Sequence, residues 1–426
     1  KHLLKEINMI SAVWLVLSCV AWQLAIADDV CEVPNPQALY CYCDAEFSSA
    51  SCWVFSKSTP NSREWDIFRS RPTLKELNIT LRHDGQMNFV PTKIFEFLKS
   101  LQRLHIKQAN ITEIPSLTFV GLSELSVLQL DGNNIQTLQP QAFLNLSLLR
   151  EVHLNGNHLK VFPENSFIGC GNISELYLSG NAITRVEDES LANLRKLRVL
   201  DLSFNKLSDF HNLPFKGLNR LENISLSNNI LETIRTQLFA DLTSLQKLDL
   251  SHNRIKFIQP KALHALSKLK HLNLYDNKLV TLSDDLFKSA AGLHHLDLRQ
   301  NVLKYVTDKP IASFLPNLQD GKLHLSLDDN LLACDCHLKW ILPLLEKSPS
   351  LSNVTCYYYQ GEMSNFDKEI SVRSLSADTL KCSEKRSSVM TEDCPQPLSS
   401  GSRCLSSGTI LVVITVYSFL NTVISV

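Results

Sequence analysis

One asparagine returns every 24 residues along the middle of this chain: Asn133, Asn157, Asn181, Asn205, Asn229, Asn253, Asn277 and Asn301. Chance does not hold eight copies in register, so the segment must fold as a linear array of like units, each packed on the next. Around each asparagine the same frame recurs. In LRVLDLSFNKL it places Leu197, Leu200, Leu202, Asn205 and Leu207. A second column, Phe95, Phe119, Phe143, Phe167, Leu191, Phe215, Phe239, Leu263 and Phe287, keeps the same period in the other half of the unit. Asn330 fills the asparagine slot once more after a longer unit, Ala109 occupies it in the first clear copy, and residues 74–97 read as a degenerate opening unit.

The Leu-x-Leu alternation predicts a short strand with one buried face, so each unit adds one parallel strand to a continuous sheet. The rest of the unit returns by a loose arm whose Phe or Leu plugs the same core. The asparagine, placed where the chain leaves the strand, is expected to bond backbone groups of its own and the adjacent coil that would otherwise be buried unpaired. Asn228, one place outside the column, is expected to be inert. About ten strands at roughly 4.8 Å give an inner face on the order of 45 Å long.

This frame resembles the leucine-rich repeat, over residues 74–332. The resemblance implies an α/β-type solenoid, a horseshoe with a parallel concave sheet of about ten 24-residue repeats and a disulfide cap at each end. The cysteines fit such caps. Of twelve, Cys31, Cys41, Cys43 and Cys52 precede the array, and Cys334, Cys336, Cys356 and Cys382 follow it. These spacings, and Trp340 in CDCHLKW, resemble the flanks of extracellular leucine-rich repeat proteins. That resemblance implies Cys31 paired with Cys43, Cys41 with Cys52, Cys334 with Cys356 and Cys336 with Cys382. Cys170 occupies a slot filled elsewhere by Leu146 and Leu218, and reads as a small buried hydrophobe.

Export is expected as well. Trp14 to Ala27 has the length and apolarity of a signal-peptide core, Ala25-Ile26-Ala27 supplies the small-x-small cleavage pattern, and Met9 is a candidate initiator. At the other end, the small residues Ser399, Ser400 and Gly401, a polar spacer and the apolar run Thr409 to Val426 match a glycosylphosphatidylinositol attachment signal. The expected attachment residue is Ser399, with Ser400 next, and a minimal membrane span is the alternative. The chain thus divides into a signal peptide (1–27), an N-terminal cap (28–73), the array (74–332), a C-terminal cap (333–383), a polar stalk (384–399) and a removed attachment signal (400–426). Cys394 and Cys404 lie beyond the second cap. Six sequons, at Asn78, Asn110, Asn145, Asn172, Asn223 and Asn353, suit surface display. Asn223 is the informative one: it is assigned to an outward position of the strand LENISL, where a glycan would stand on the concave face.

With 42 Lys and Arg against 43 Asp and Glu, no net field argues for nucleic acid or an anionic membrane surface. Lys247, His271, His295 and His324 share one column, beside Asp249, Asn273 and Asp297. Histidine beside aspartate suits metal or acid-base work, but no nucleophile, glycine-rich phosphate loop or two-turn histidine motif accompanies them. The expectation is therefore a binding protein with no cofactor, metal or small-molecule substrate. Its binding surface is placed at His271, Tyr275, His295 and Arg299, on alternate, outward strand positions of adjoining repeats. Caps, repeats and tail together are similar to those of the insect lipid-anchored adhesion members of the family. That resemblance implies calcium-independent homophilic adhesion at the outer face of the plasma membrane. A receptor subunit or co-receptor for a secreted ligand, and a soluble matrix or scavenging protein, are the other readings.

Overall fold

The computed structural model describes residues 29–31, 38–187, 190–210, 213–358 and 369–382. The expected signal peptide, Cys394, Ser399, Ser400, Cys404 and the apolar tail lie outside the described residues. Among those described, no helix is long and apolar enough to cross a membrane. Residues up to Lys381 make one compact unit, and of the second, from Cys382 on, only Cys382 is described.

The Leu-x-Leu segments become strands of one thirteen-stranded sheet. Leu39–Cys43 and Ser49–Val54 pair antiparallel as its first two strands, and Glu76–Leu81 adds in parallel to the second. Each later strand then joins in parallel, one per repeat, so that Leu176, Leu200, Ile224 and Leu248 stand side by side. The central residue of each repeat strand is buried and its neighbours face outward, the alternation a pleated strand imposes. The convex arms consist of turns and two-residue strands, such as Thr233–Ile234 beside Phe257–Ile258. The longer unit before Asn330 carries a five-residue α-helix, Leu315–Gln319.

Two ladders hold the array together. The aromatic column is a spine: Phe119 and Phe143 stack at 5.5 Å and Phe143 and Phe167 at 4.7 Å, all buried. Leu191 and Leu263 continue the burial where the column lacks a ring. The asparagine column does for the backbone what the spine does for the core. Asn253 Nδ2 donates to the carbonyls of Leu226, Leu250 and Ser251 at 3.0 to 3.1 Å, while its Oδ1 accepts from the Leu231 N–H at 3.0 Å. Asn205, Asn229, Asn277 and Asn301 repeat this pattern, and at the broken slot the Ala109 N–H still finds Asn133 Oδ1.

The slot before each asparagine is not inert. Gln108, Phe204, Asn228, His252, Asp276, Gln300 and Asp329 all have φ between 51° and 60° there, and Gly132, Gly156 and Gly180 between 62° and 67°. Here the chain leaves the strand through the left-handed region, where a Cβ is costly for most residues. The expectation for Asn228 is corrected accordingly: its side chain is peripheral, but its backbone conformation is a demanding one.

At the N-terminal end Trp65, Phe68, Leu39 and Val54 cover the first coil, and the Trp65 indole donates to Thr59 O at 2.9 Å. Disulfides join Cys31 to Cys43 and Cys41 to Cys52. At the other end Leu338, Ile341, Leu344 and Leu351 bury against the last repeats, and Trp340 Nε1 donates to Val306 O at 2.8 Å. Cys334 is joined to Cys356, and Cys336 and Cys382 are each disulfide-bonded. Cys170 is the free cysteine among the described residues; it is buried beneath the spine, its thiol donates to Phe143 O, and burial pushes its pKa up to about 11.

Candidate recognition surface

Because successive strands are in register, side chains at equivalent positions form rows across the concave sheet. One row near the strand starts contains Lys247, His271, His295 and His324. The next contains Asp249, Asn273, Asp297 and Ser326. The charged side chains of the earlier repeats on this side largely satisfy one another: Arg198 grips Glu222 through two bonds of 2.9 and 3.1 Å, and Arg103 meets Glu76 at 2.7 Å. His153 stacks on Tyr177 at 4.5 Å, and the Tyr177 hydroxyl donates to Glu175.

The four residues placed on the binding surface from sequence fall into two groups. His271 and His295 stack at 5.2 Å, and His324 continues the row at 5.2 Å from His295. Burial, then the positive neighbours His295, Lys247, His294 and Lys270, hold the His271 imidazole below its usual pKa. Tyr275 and Arg299 lie four residues further along, about 13 Å away at the rise of a strand. There the Arg299 guanidinium sits 5.2 Å over the Tyr275 ring while bonding Asp297 through Nε at 3.0 Å. Asp328 stands close to Arg299, and burial raises its carboxyl above the ordinary carboxylate range.

Two partners of this second group escaped the sequence reading. His252 packs edge-on to Tyr275 at 5.0 Å, and its Nδ1 is 2.9 Å from Asp276 Oδ2. Both occupy the left-handed slot, 24 residues apart, so the repeat register was the available signal. A histidine and carboxylate at this distance resemble part of an acid-base pair. Yet each is exposed by 42%, and the His252 backbone N–H donates to Tyr275 O at 2.8 Å, so the pair sits on an open turn where water reaches both groups.

The sequons also divide. Asn110, Asn145 and Asn353 are exposed outside the concave strands, and Asn172 donates through Nδ2 to Ser147 O at 2.6 Å. Asn223 opens the strand Asn223–Ser225, in the row of Lys247 and His271. Asn78 also lies within a strand of the sheet, Glu76–Leu81, between Ser51 and His105.

Repeat frame, parallel sheet and asparagine ladder agree with a direct comparison of sequences. The leucine rich repeat family model matches eight overlapping segments, the first 72–135 and the last 243–303, which together span more than half of the chain. The chain belongs to the leucine-rich repeat family. Connectin of Drosophila melanogaster is 30% identical to this leucine-rich repeat chain over 114 residues, 25% of the chain and 17% of connectin. The chain thus matches less than a fifth of that relative's length. A leucine-rich repeat protein of Leptospira interrogans shares the fold with a TM-score of 0.53 at 23% identity, covering 71% of this chain and 76% of that one. The Toll–Spatzle complex of Drosophila gives a TM-score of 0.49 at 21% identity, covering 74% of this chain and 53% of that one.

Proposed function

We propose that this leucine-rich repeat protein is displayed at the cell surface and holds cells together by binding a second copy on an opposed cell. The observation that carries the reading is the Tyr275, Arg299 and His252 group on the inner face of the array. Tyrosine and arginine combine contact area with directed hydrogen bonds, and both are enriched where interface energy concentrates. The solenoid supplies rigidity, so ordering this surface costs little when a partner arrives. Oxidised cysteines in both caps suit an extracellular compartment. Copies arrayed on two membranes would add many weak contacts into stable adhesion.

Non-adhesive cells expressing the full chain are expected to aggregate, and to do so equally in EDTA. The double variant Tyr275→Ala with Arg299→Ala is expected to reduce aggregation at least severalfold at unchanged surface level, because neither side chain belongs to the buried columns. Aggregates in which expressing cells join only non-expressing cells would point to a different partner. Normal aggregation by the double variant would move the interface to the convex arms or caps.

The proposal includes a lipid anchor, supported by the order of small cluster, polar spacer and apolar run across residues 399–426. Phosphatidylinositol-specific phospholipase C is then expected to release most of the surface protein into the medium. Retention of a form that still contains Val426 would refute the anchor and leave the adhesion reading intact.

A further inference from the structure

The strand-start edge of the last repeats and the C-terminal cap together form an open cavity of about 730 Å³. Lys270, Lys322 and Lys347 line it, and so do four imidazoles, His271, His294, His295 and His324. No carboxylate is among the lining side chains. Lys322 is paired with Asp320 outside the lining at 2.9 Å, whereas among the described residues Lys270 and Lys347 form no ion pair. The cap contributes Ser348, Pro349 and Ser350 to the wall beside Lys347.

Three imidazoles in a row at 5.2 Å cannot all carry protons cheaply without negative charge between or over them. An anionic ligand would supply that charge and pair the two lysines. The walls discriminate among anions. Apart from imidazoles, no aromatic ring lines the cavity to stack a nucleobase, and Leu323 and Pro349 are its only apolar side chains, a poor anchor for a peptide. A ligand whose affinity comes from repeated charge alone fits best, and the row continues beyond the cavity to Lys247.

We propose that this cavity binds a sulfated polysaccharide, its sulfate groups held by Lys270, Lys347 and the histidine row. Binding should tighten in mild acid. His271 is held below its ordinary pKa, so it is largely neutral near pH 7.4, and a sulfate seated over the row favours its protonated form as the pH falls. The groups facing it are Lys247, Lys270, His294 and His295, all of them basic. Asp320, held low chiefly by its bond to Lys322 and further by Lys347, stays ionised throughout. The site is separate from the Tyr275 and Arg299 contact, so either can fail without the other.

The test is binding of the full chain to immobilised heparin at pH 7.4 and 5.5 in constant salt, with desulfated heparin, a single-stranded oligonucleotide and an acidic peptide as competing probes. Lys270→Gln with Lys347→Gln is expected to weaken heparin binding about tenfold or more, with the melting temperature unchanged because both side chains are exposed. Wild-type affinity is expected to rise severalfold at pH 5.5, and His271→Asn to flatten that rise. Equal heparin affinity for the lysine variant and wild type would overturn the proposal, as would equal binding of desulfated heparin. Stronger binding of the oligonucleotide or peptide, abolished by the same lysine changes, would overturn the polysaccharide assignment.

Discussion

Alanine at Phe143 is expected to cost about 3 to 5 kcal/mol of stability. The ring is fully buried and stacked on both sides, at 5.5 Å on Phe119 and 4.7 Å on Phe167, so its loss opens a cavity and breaks two aromatic contacts together. Phe143→Leu should cost less, about 1.5 kcal/mol or below, because Leu191 and Leu263 already fill this slot elsewhere with 1% exposure. The damage should also be local. In a solenoid each repeat touches only its neighbours, so hydrogen exchange should accelerate first in the coils flanking Phe143 and leave the strands from Lys247 onward protected. Urea unfolding gives the magnitude and exchange gives the location. Equal costs for leucine and alanine would mean that the ring is not packed as a spine.

The period made the array legible. Asparagine and phenylalanine each perform one task in every coil, so the same residue type recurs and the columns stand out from the sequence. The left-handed slot was hidden for the opposite reason. What that position requires is a backbone conformation, and Gly156, Phe204, Asn228, His252 and Gln300 meet it with unrelated side chains. Only the glycines at 132, 156 and 180 left a trace.

Side-chain contacts were more legible along a row than along a strand. His271 and His295 are one repeat apart and meet, as the register requires. Tyr275 shares their face, yet four residues of extended chain separate it from them, and its contacts are Arg299 and His252. The cavity could not be read from the repeat at all. Lys347 and Ser350 belong to the cap, and no periodicity relates them to Lys270; their meeting depends on how Leu344 and Leu351 bury against the end of the array.

Asn253→Ala should lower stability by about 1 to 3 kcal/mol, and the ladder shows which atom is responsible. The Leu226 carbonyl also accepts from Asn229, the Leu250 carbonyl from Asn277, and the Ser251 carbonyl from the Asn228 N–H, so each keeps a donor when Asn253 is removed. The Leu231 N–H keeps none: Asn253 Oδ1 is its one acceptor among the described residues, and Leu231 is fully buried. An orphaned buried amide carries most of the cost, with a smaller share from the space left behind. Asn228 separates this from any general sensitivity of the turn. Its φ of 54° makes Asn228→Ala cost about 1 kcal/mol through backbone strain, while Asn228→Gly should be close to neutral. Asn253→Gly gains nothing of the kind, because the slot needs an acceptor and not a conformation. Lys268→Ala, at an exposed site, should change stability by less than about 0.5 kcal/mol. Urea midpoints at constant slope measure all five changes. If glycine rescued position 253 as it is expected to do at 228, the asparagine would be serving the turn's conformation, and the hydrogen-bonded ladder would not be what holds successive coils in register.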